Sequence, residues 1–254
     1  MRSLTMGIAL VAMLMLLSTY TAGKPAPQSK ADKAATVAEL EKTGDLARAQ
    51  KDYSKAAESF RAALRIDRKN SRLYNKLGMA DLNKNDLRSA RQDFEKAAKF
   101  NPKFSDAISN IGAVDYIAKK YGSAEKYFKR AVALDESRSS YHINLGAVWF
   151  AQGKLDRAIA EYTRAVELDP EILKQDSRSG VVAQIASAEE RAKYSYMLAK
   201  IYARRGDLDN CLECLKKAKE EGYRNLANVY KEEDFNKLRQ DPRLHDIVPP
   251  PVQK

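Results

Sequence analysis

The sequence has little of what most catalytic sites are built from. It holds two histidines, His142 and His245, and two cysteines, Cys211 and Cys214. A soft-ligand metal site would have to gather these four from distant points of the chain. No Gly-rich phosphate loop, H-E-x-x-H or G-x-S-x-G is present. The common nucleotide, zinc-protease and serine-hydrolase signatures are therefore missing. Glycine (11) and proline (8) are scarce, which disfavours a turn-rich β fold and favours helix. From these absences no catalytic residue, no metal and no cofactor is expected, and the chain reads as a non-enzyme.

Long apolar runs are also rare. The one that stands out, Ile8–Leu17, follows Arg2 and precedes the small residues of "STYTAG" before Lys24. That order matches a secretory signal peptide. The run is shorter than the roughly 20 apolar residues of a comfortable span. A signal over residues 1–23 and export to the periplasm or exterior are expected, with an uncleaved N-terminal membrane anchor as the alternative. No cysteine follows the apolar core, so no lipoprotein attachment point is seen.

What the chain has is positive charge and a repeat. Lys and Arg number 45 against 34 Asp and Glu, for a formal net charge of +11. The longest cationic runs are pairs such as Arg68-Lys69 and Lys119-Lys120. Charge so dispersed reads first as a solvated surface, and no nucleic-acid partner is expected. The alternative is a basic module associated peripherally with an acidic envelope surface or a polyanion.

Four series of residues recur every 34 positions: Gly44, Gly78, Gly112, Gly146; Ala56, Ala90, Ala124, Ala158; Ala63, Ala97, Ala131, Ala165; and Phe60, Phe94, Phe128, Tyr162. Each unit carries two apolar helical stripes joined by a short polar turn such as "KNDL" or "QGKL". Ala56, Phe60 and Ala63 share one helix face, where small residues permit close approach and the aromatic fills the space beside them. Ser71, Ser105 and Ser139 are expected as N-caps of first helices. Pro102 and Pro170 fall just after second helices.

These residues resemble the tetratricopeptide repeat family, best in "YHINLGAVWFAQGKLDRAIAEYTRAVELDP" (Tyr141 to Pro170). There Leu145-Gly146, Trp149, Ala158, Tyr162, Ala165 and Pro170 take the family positions. His142 replaces an aromatic, while Asp81 and Asp115 stand where Trp149 stands. A slight turn of the first helix, bringing Leu82 and Tyr116 inward, is expected to resolve those two carboxylates. The resemblance implies an all-α, right-handed superhelical solenoid of about five helix pairs with a C-terminal helical cap. It also implies a protein-binding scaffold. The expected organisation is a linker at 24–36, four units at 37–172, an insertion at 173–191, a fifth unit at 192–223, a cap at 224–248 and a Pro-rich tail at 249–254. "SAEE" (Ser187–Glu190) is a capping box opening a long helix. Asp241-Pro242 is the expected start of the last short helix.

In the fifth unit Cys211 takes the slot of Ala56 and its counterparts, so it reads as a small packing residue. A strained disulfide with Cys214 and a thiol–disulfide activity are the alternatives. The family's carboxylate clamp would fall on Asn75, Met79, Asn110, Ser140 and Asn144, or on Glu41, Asp45, Lys76, Asp106 and Asn110. Neither set supplies the needed cations. The partner-binding expectation rests instead on an apolar second face of one helix. Ile143, Ala147 and Phe150 line it, with Ile117, Tyr116 and Met79 extending it into neighbouring units. A helix apolar on two faces is covered on both. The occupant is either a protein or peptide segment of a partner, anchored on Phe150, or the chain itself. Self-cover would come from "SGVVAQI" (179–185) or from the long first helix of the fifth unit.

Overall fold

The computed structural model describes residues 29–173 and 187–250. The expected signal, the first part of the expected linker, residues 174–186 of the expected insertion and residues 251–254 of the tail lie outside them. The described residues fall into two compact units, divided between Arg68 and Lys69. In the first, α1 (Lys30–Ala49) pairs with α2 (Tyr53–Ile66). Helix α1 starts inside the span expected as linker. Ser29 Oγ accepts from Asp32 N at 3.0 Å, and Asp32 Oδ2 accepts from Ser29 N at 3.0 Å, a reciprocal cap that opens the helix there.

The second unit holds four more helix pairs. They are α3 (Ser71–Asn83) with α4 (Leu87–Phe100), α5 (Ser105–Ile117) with α6 (Tyr121–Leu134), α7 (Ser139–Ala151) with α8 (Leu155–Leu168), and α9 (Ala188–Arg205) with α10 (Leu208–Glu220). The five pairs are numbered repeats one to five in chain order. Three 3₁₀ turns, Leu226–Tyr230, Glu233–Phe235 and Leu238–Gln240, lead to the short α11 (Arg243–Ile247). The described residues contain helices and no strand, as expected of an all-α chain.

The recurring residues meet at one contact inside each of the first four pairs. A Cβ built on Gly78 would lie 2.7 Å from a ring carbon of Phe94, and one on Gly112 would lie 2.8 Å from Phe128. The aromatic ring thus occupies the space a side chain would need, and only glycine lets the two helices close to this distance. Ala90, Ala97, Ala124 and Ala131 are fully buried around the same contacts.

Capping differs from expectation at three first helices. Ser71, Ser105 and Ser139 are the first helical residues rather than the caps. Asn70 caps α3, its Oδ1 accepting from Leu73 N at 3.1 Å. The Ser105 hydroxyl is engaged elsewhere, accepting from Tyr141 Oη at 3.0 Å. The box at Ser187 is present, with Glu190 N donating to Ser187 Oγ at 3.1 Å. At α11 the helix opens one residue later than expected, at Arg243, whose N–H donates to Asp241 Oδ1 at 3.0 Å.

Tyr116 is inside, as expected, but Asp115 is not turned out to make room for it: both neighbours are buried. The carboxylate is buried and kept inside by ion pairing. Arg91 of α4 approaches it at 3.0 Å, and Ser123 Oγ donates at 2.6 Å. A buried charge that is paired and hydrogen-bonded is tolerated where an isolated one is not. Asp81 is also buried, with Lys84 Nζ at 3.4 Å.

The cap closes the last repeat as a solenoid end requires. Val229, Phe235, Leu238 and Leu244 are fully buried in one cluster with Leu215 and Cys211. Lys200 on α9 bridges Glu232 and Asp234 at 2.9 and 3.1 Å.

Candidate partner-binding site

The expected binding residues lie on the first helices α3, α5 and α7, but they are not equally available. Tyr116 and Ala147 are interior residues. Tyr116 packs on Tyr121 with ring centroids 5.4 Å apart. Asp115, its neighbour on α5, is buried beside it and paired with Arg91. Phe150 and Ile143 are partly buried against a cluster that includes Tyr194, Met197 and Ile201 of α9. The Phe150 ring meets Tyr194 edge to face at 5.5 Å, a favourable aromatic geometry. At this end of the stripe the long first helix of repeat five is therefore the neighbour. Met79 and Ile117 remain half-buried, as does Ala113 between them.

A line of polar side chains runs beside this stripe. Asn110 Nδ2 donates to Asn75 Oδ1 at 2.9 Å, and Asn144 Nδ2 donates to Ser109 Oγ at 3.2 Å. Asn75 Nδ2 faces the Met79 sulfur at 3.9 Å. The two links between helices carry the line across α3, α5 and α7. The donor amides are used along the line, while the carboxamides of Asn110 and Asn144 each keep an acceptor oxygen for a ligand N–H. The signal for it was present in the sequence, since Asn110 and Asn144 are 34 residues apart. Comparison with a carboxylate clamp alone could not find it.

The other chemistry-bearing residues are structural. His142 is buried, with Nδ1 2.6 Å from Glu161 Oε2 and Nε2 3.1 Å from the Glu136 carbonyl. Cys211 and Cys214 are both free thiols. Burial, reinforced by the nearby Cys214 and Asp207, pushes the Cys211 thiol up to about 12. Burial does the same for Cys214. Thiols held so far from ionisation are poor nucleophiles at neutral pH.

At the outer end of repeat four, Trp149 stands with Lys129 Nζ 5.5 Å and the Arg157 guanidinium 5.7 Å from its ring. Glu125 faces the same spot. Lys129 first, then Trp149, Gln152 and Lys154, hold its carboxyl down to about 2.

Comparison with known proteins is consistent with this architecture. One tetratricopeptide repeat model matches residues 41–106 and 117–171, and another matches residues 192–221. No curated protein matches the chain. Among solved structures, the crystal structure of MamA protein is 20% identical, covers 79% of this chain and 97% of its own, and gives a TM-score of 0.52. MamA from Desulfovibrio magneticus RS-1 is 20% identical over 73% of this chain and 94% of its own, with a TM-score of 0.53. TTC0263, a thermophilic TPR protein of Thermus thermophilus, is 18% identical over 77% and 96%, with a TM-score of 0.51. At such identities the likeness is one of fold.

Proposed function

The chain belongs to the tetratricopeptide repeat family, and from that premise we propose that it is a non-catalytic protein-interaction scaffold. It holds an extended segment of a partner protein across the first helices α3, α5 and α7. The carrying observation is the polar line Asn75–Asn110 and Ser109–Asn144 beside the half-buried Met79, Ala113 and Ile117. Side-chain amides fix a peptide backbone, and adjacent apolar pockets read its side chains. Phe150 borders this groove and acts mainly through Tyr194. Its truncation is expected to lower thermal stability more than partner capture.

The scaffold works in the cell envelope or outside the cell. This placement is supported by the order Arg2, Ile8–Leu17 and "STYTAG". Fractionation with N-terminal sequencing of the mature chain checks it; a cytoplasmic chain that keeps Met1 would end it.

The groove is tested with a photocrosslinking side chain at Ile117, at Met79 and, as control, at Lys126 on the outer side of α6. One partner should be trapped from both groove positions and not from the control. Asn110→Ala with Ile117→Ala should weaken its capture at least tenfold, about 1.4 kcal/mol or more, while the protein still unfolds in one cooperative transition at a modestly lower temperature. Equal trapping from Lys126 would refute the groove.

A further inference from the structure

The dispersed positive charge of the sequence is sorted by the fold onto the second helices. In α4 and α6, seven cations face three carboxylates, whereas in α3, α5 and α7 two cations face three carboxylates. The carboxylates on the second helices are already ion-paired. Asp93 pairs with Lys96 at 3.1 Å, Glu95 with Arg91, and Glu125 with Lys129 at 2.6 Å. What remains is six exposed cations without an ion pair among the described residues: Arg88, Lys99, Lys103, Lys119, Lys120 and Lys126. They lie on α4, on α6 and on the turns at both ends of these helices. Arg130 Nη2 donates to the Pro102 carbonyl at 3.0 Å and ties α6 to the turn after α4.

Two part-exposed apolar residues stand at the ends of these helices, the Phe100 ring also stacking on Tyr74 of α3 with centroids 5.6 Å apart. Phe100 is 36% exposed and Leu134 is 39% exposed. They are 34 residues apart, at the same C-terminal position of α4 and α6. Cations alone would suit any polyanion. Cations on the same helices as part-exposed apolar side chains fit a lipid interface, where the charges meet headgroups and the apolar edges enter the acyl boundary.

We propose that the outer face of α4 and α6 is a peripheral docking surface for a membrane bearing anionic phosphate headgroups. No helix among the described residues is long and apolar enough to cross a membrane, and the contact is by this face. The surface lies on the second helices and the groove on the first, so the proposal stands apart from the peptide-binding reading.

The test is co-sedimentation of the protein with phosphatidylcholine vesicles containing about 30% phosphatidylglycerol, and with pure phosphatidylcholine, at about 0.15 M salt. Partitioning onto anionic vesicles should exceed that onto neutral ones by about tenfold or more. Lys99→Glu, Lys103→Glu, Lys119→Glu and Lys120→Glu together should remove at least about nine-tenths of it. Leu134→Ser should weaken it about threefold. Melting curves should stay unchanged for both variants. Ile8–Leu17 is common to all the proteins compared, so differences between them read the surface. No preference for anionic vesicles overturns the proposal, as does full partitioning by the fourfold variant. A single-stranded oligonucleotide that binds as tightly as the vesicles, with Leu134→Ser changing neither, would assign the face to nucleic acid and also overturn it.

Discussion

Repeats three and four use the same three positions for opposite chemistry. Where α5 and α6 meet the end of repeat two, Arg91, Asp115 and Ser123 form a buried charged knot. One repeat later, Glu125, Trp149 and Arg157 stand at the positions 34 residues on. There the half-buried Glu125 meets Lys129 and Lys154, and an indole takes the place of the inner carboxylate, with Lys129 and Arg157 over its ring. The backbone frame is shared, yet the sign of the outer residue is reversed and the inner carboxylate is replaced by an aromatic. A solenoid frame therefore constrains volume and mutual complementarity at such a contact, not residue type.

Breaking the two knots should give unequal results. Arg91→Ala leaves the Asp115 carboxylate, 1% exposed, without its cation. Loss of one partner from a buried pair is the costly case, and destabilisation of about 3 kcal/mol is expected. Glu125→Ala removes a carboxylate, 15% exposed, but leaves behind half-exposed lysines that water can serve, and should cost about 1–2 kcal/mol. Chemical denaturation of the two variants measures the contrast. Grafting the trio of repeat four into repeat three, as Arg91→Glu, Asp115→Trp and Ser123→Arg, should recover most of the loss seen for Arg91→Ala. A graft less stable than Arg91→Ala would show that the two frames differ more than their residues do.

This contrast also marks how far the sequence could be read. The 34-residue step, the Gly–aromatic contact and the box at Ser187 are local or periodic, and each was legible. Asp115 was legible as an anomaly only. Its partner Arg91 lies 24 residues upstream at a different position of the preceding repeat, and aligning like with like cannot reveal such a pair. The apolar second face of α7 was legible too. Its neighbour α9 was named there too, but only as one of several occupants, because its approach follows an insertion with no counterpart elsewhere in the chain. The amide line was visible as Asn75, Asn110 and Asn144, but its meaning lies in links between helices.

A smaller effect sharpens the comparison inside each pair. A Cβ on Gly112 would stand 2.8 Å from two carbons of the buried Phe128 ring, whereas one on Gly146 would stand 3.1 Å from Tyr162. Gly112→Ala forces that ring to shift, at about 1–3 kcal/mol, partly offset by about 1 kcal/mol of helix propensity. A net loss of up to about 2 kcal/mol is expected there, and near zero for Gly146→Ala. Equal melting temperatures for the two variants would remove the distinction between the repeats.

The smallest expected effect lies in the turns. Every helix pair crosses a left-handed residue at one position: Lys51 (φ 62°), Asn85 (φ 63°), Lys119 (φ 58°), Gly153 (φ 73°) and Gly206 (φ 77°). For a residue with a Cβ this conformation costs about 1–2 kcal/mol. Glycine avoids that cost but loses more backbone freedom on folding, by about 0.5–1 kcal/mol. Repeat three, with Lys119, is thus strained at a point where repeat four, with Gly153, is not. Lys119→Gly should raise stability by about 0.5–1 kcal/mol, and Gly153→Lys should lower it by a similar amount. Denaturant midpoints at constant slope read both. A Lys119→Gly protein that gains nothing would mean that the lysine stem makes compensating contacts in the turn. A protein that gains stability but partitions more weakly onto anionic vesicles would explain why a strained lysine stands there: Lys119 is one of the unpaired cations of the outer face, and the backbone strain is what places its charge at the edge of that surface.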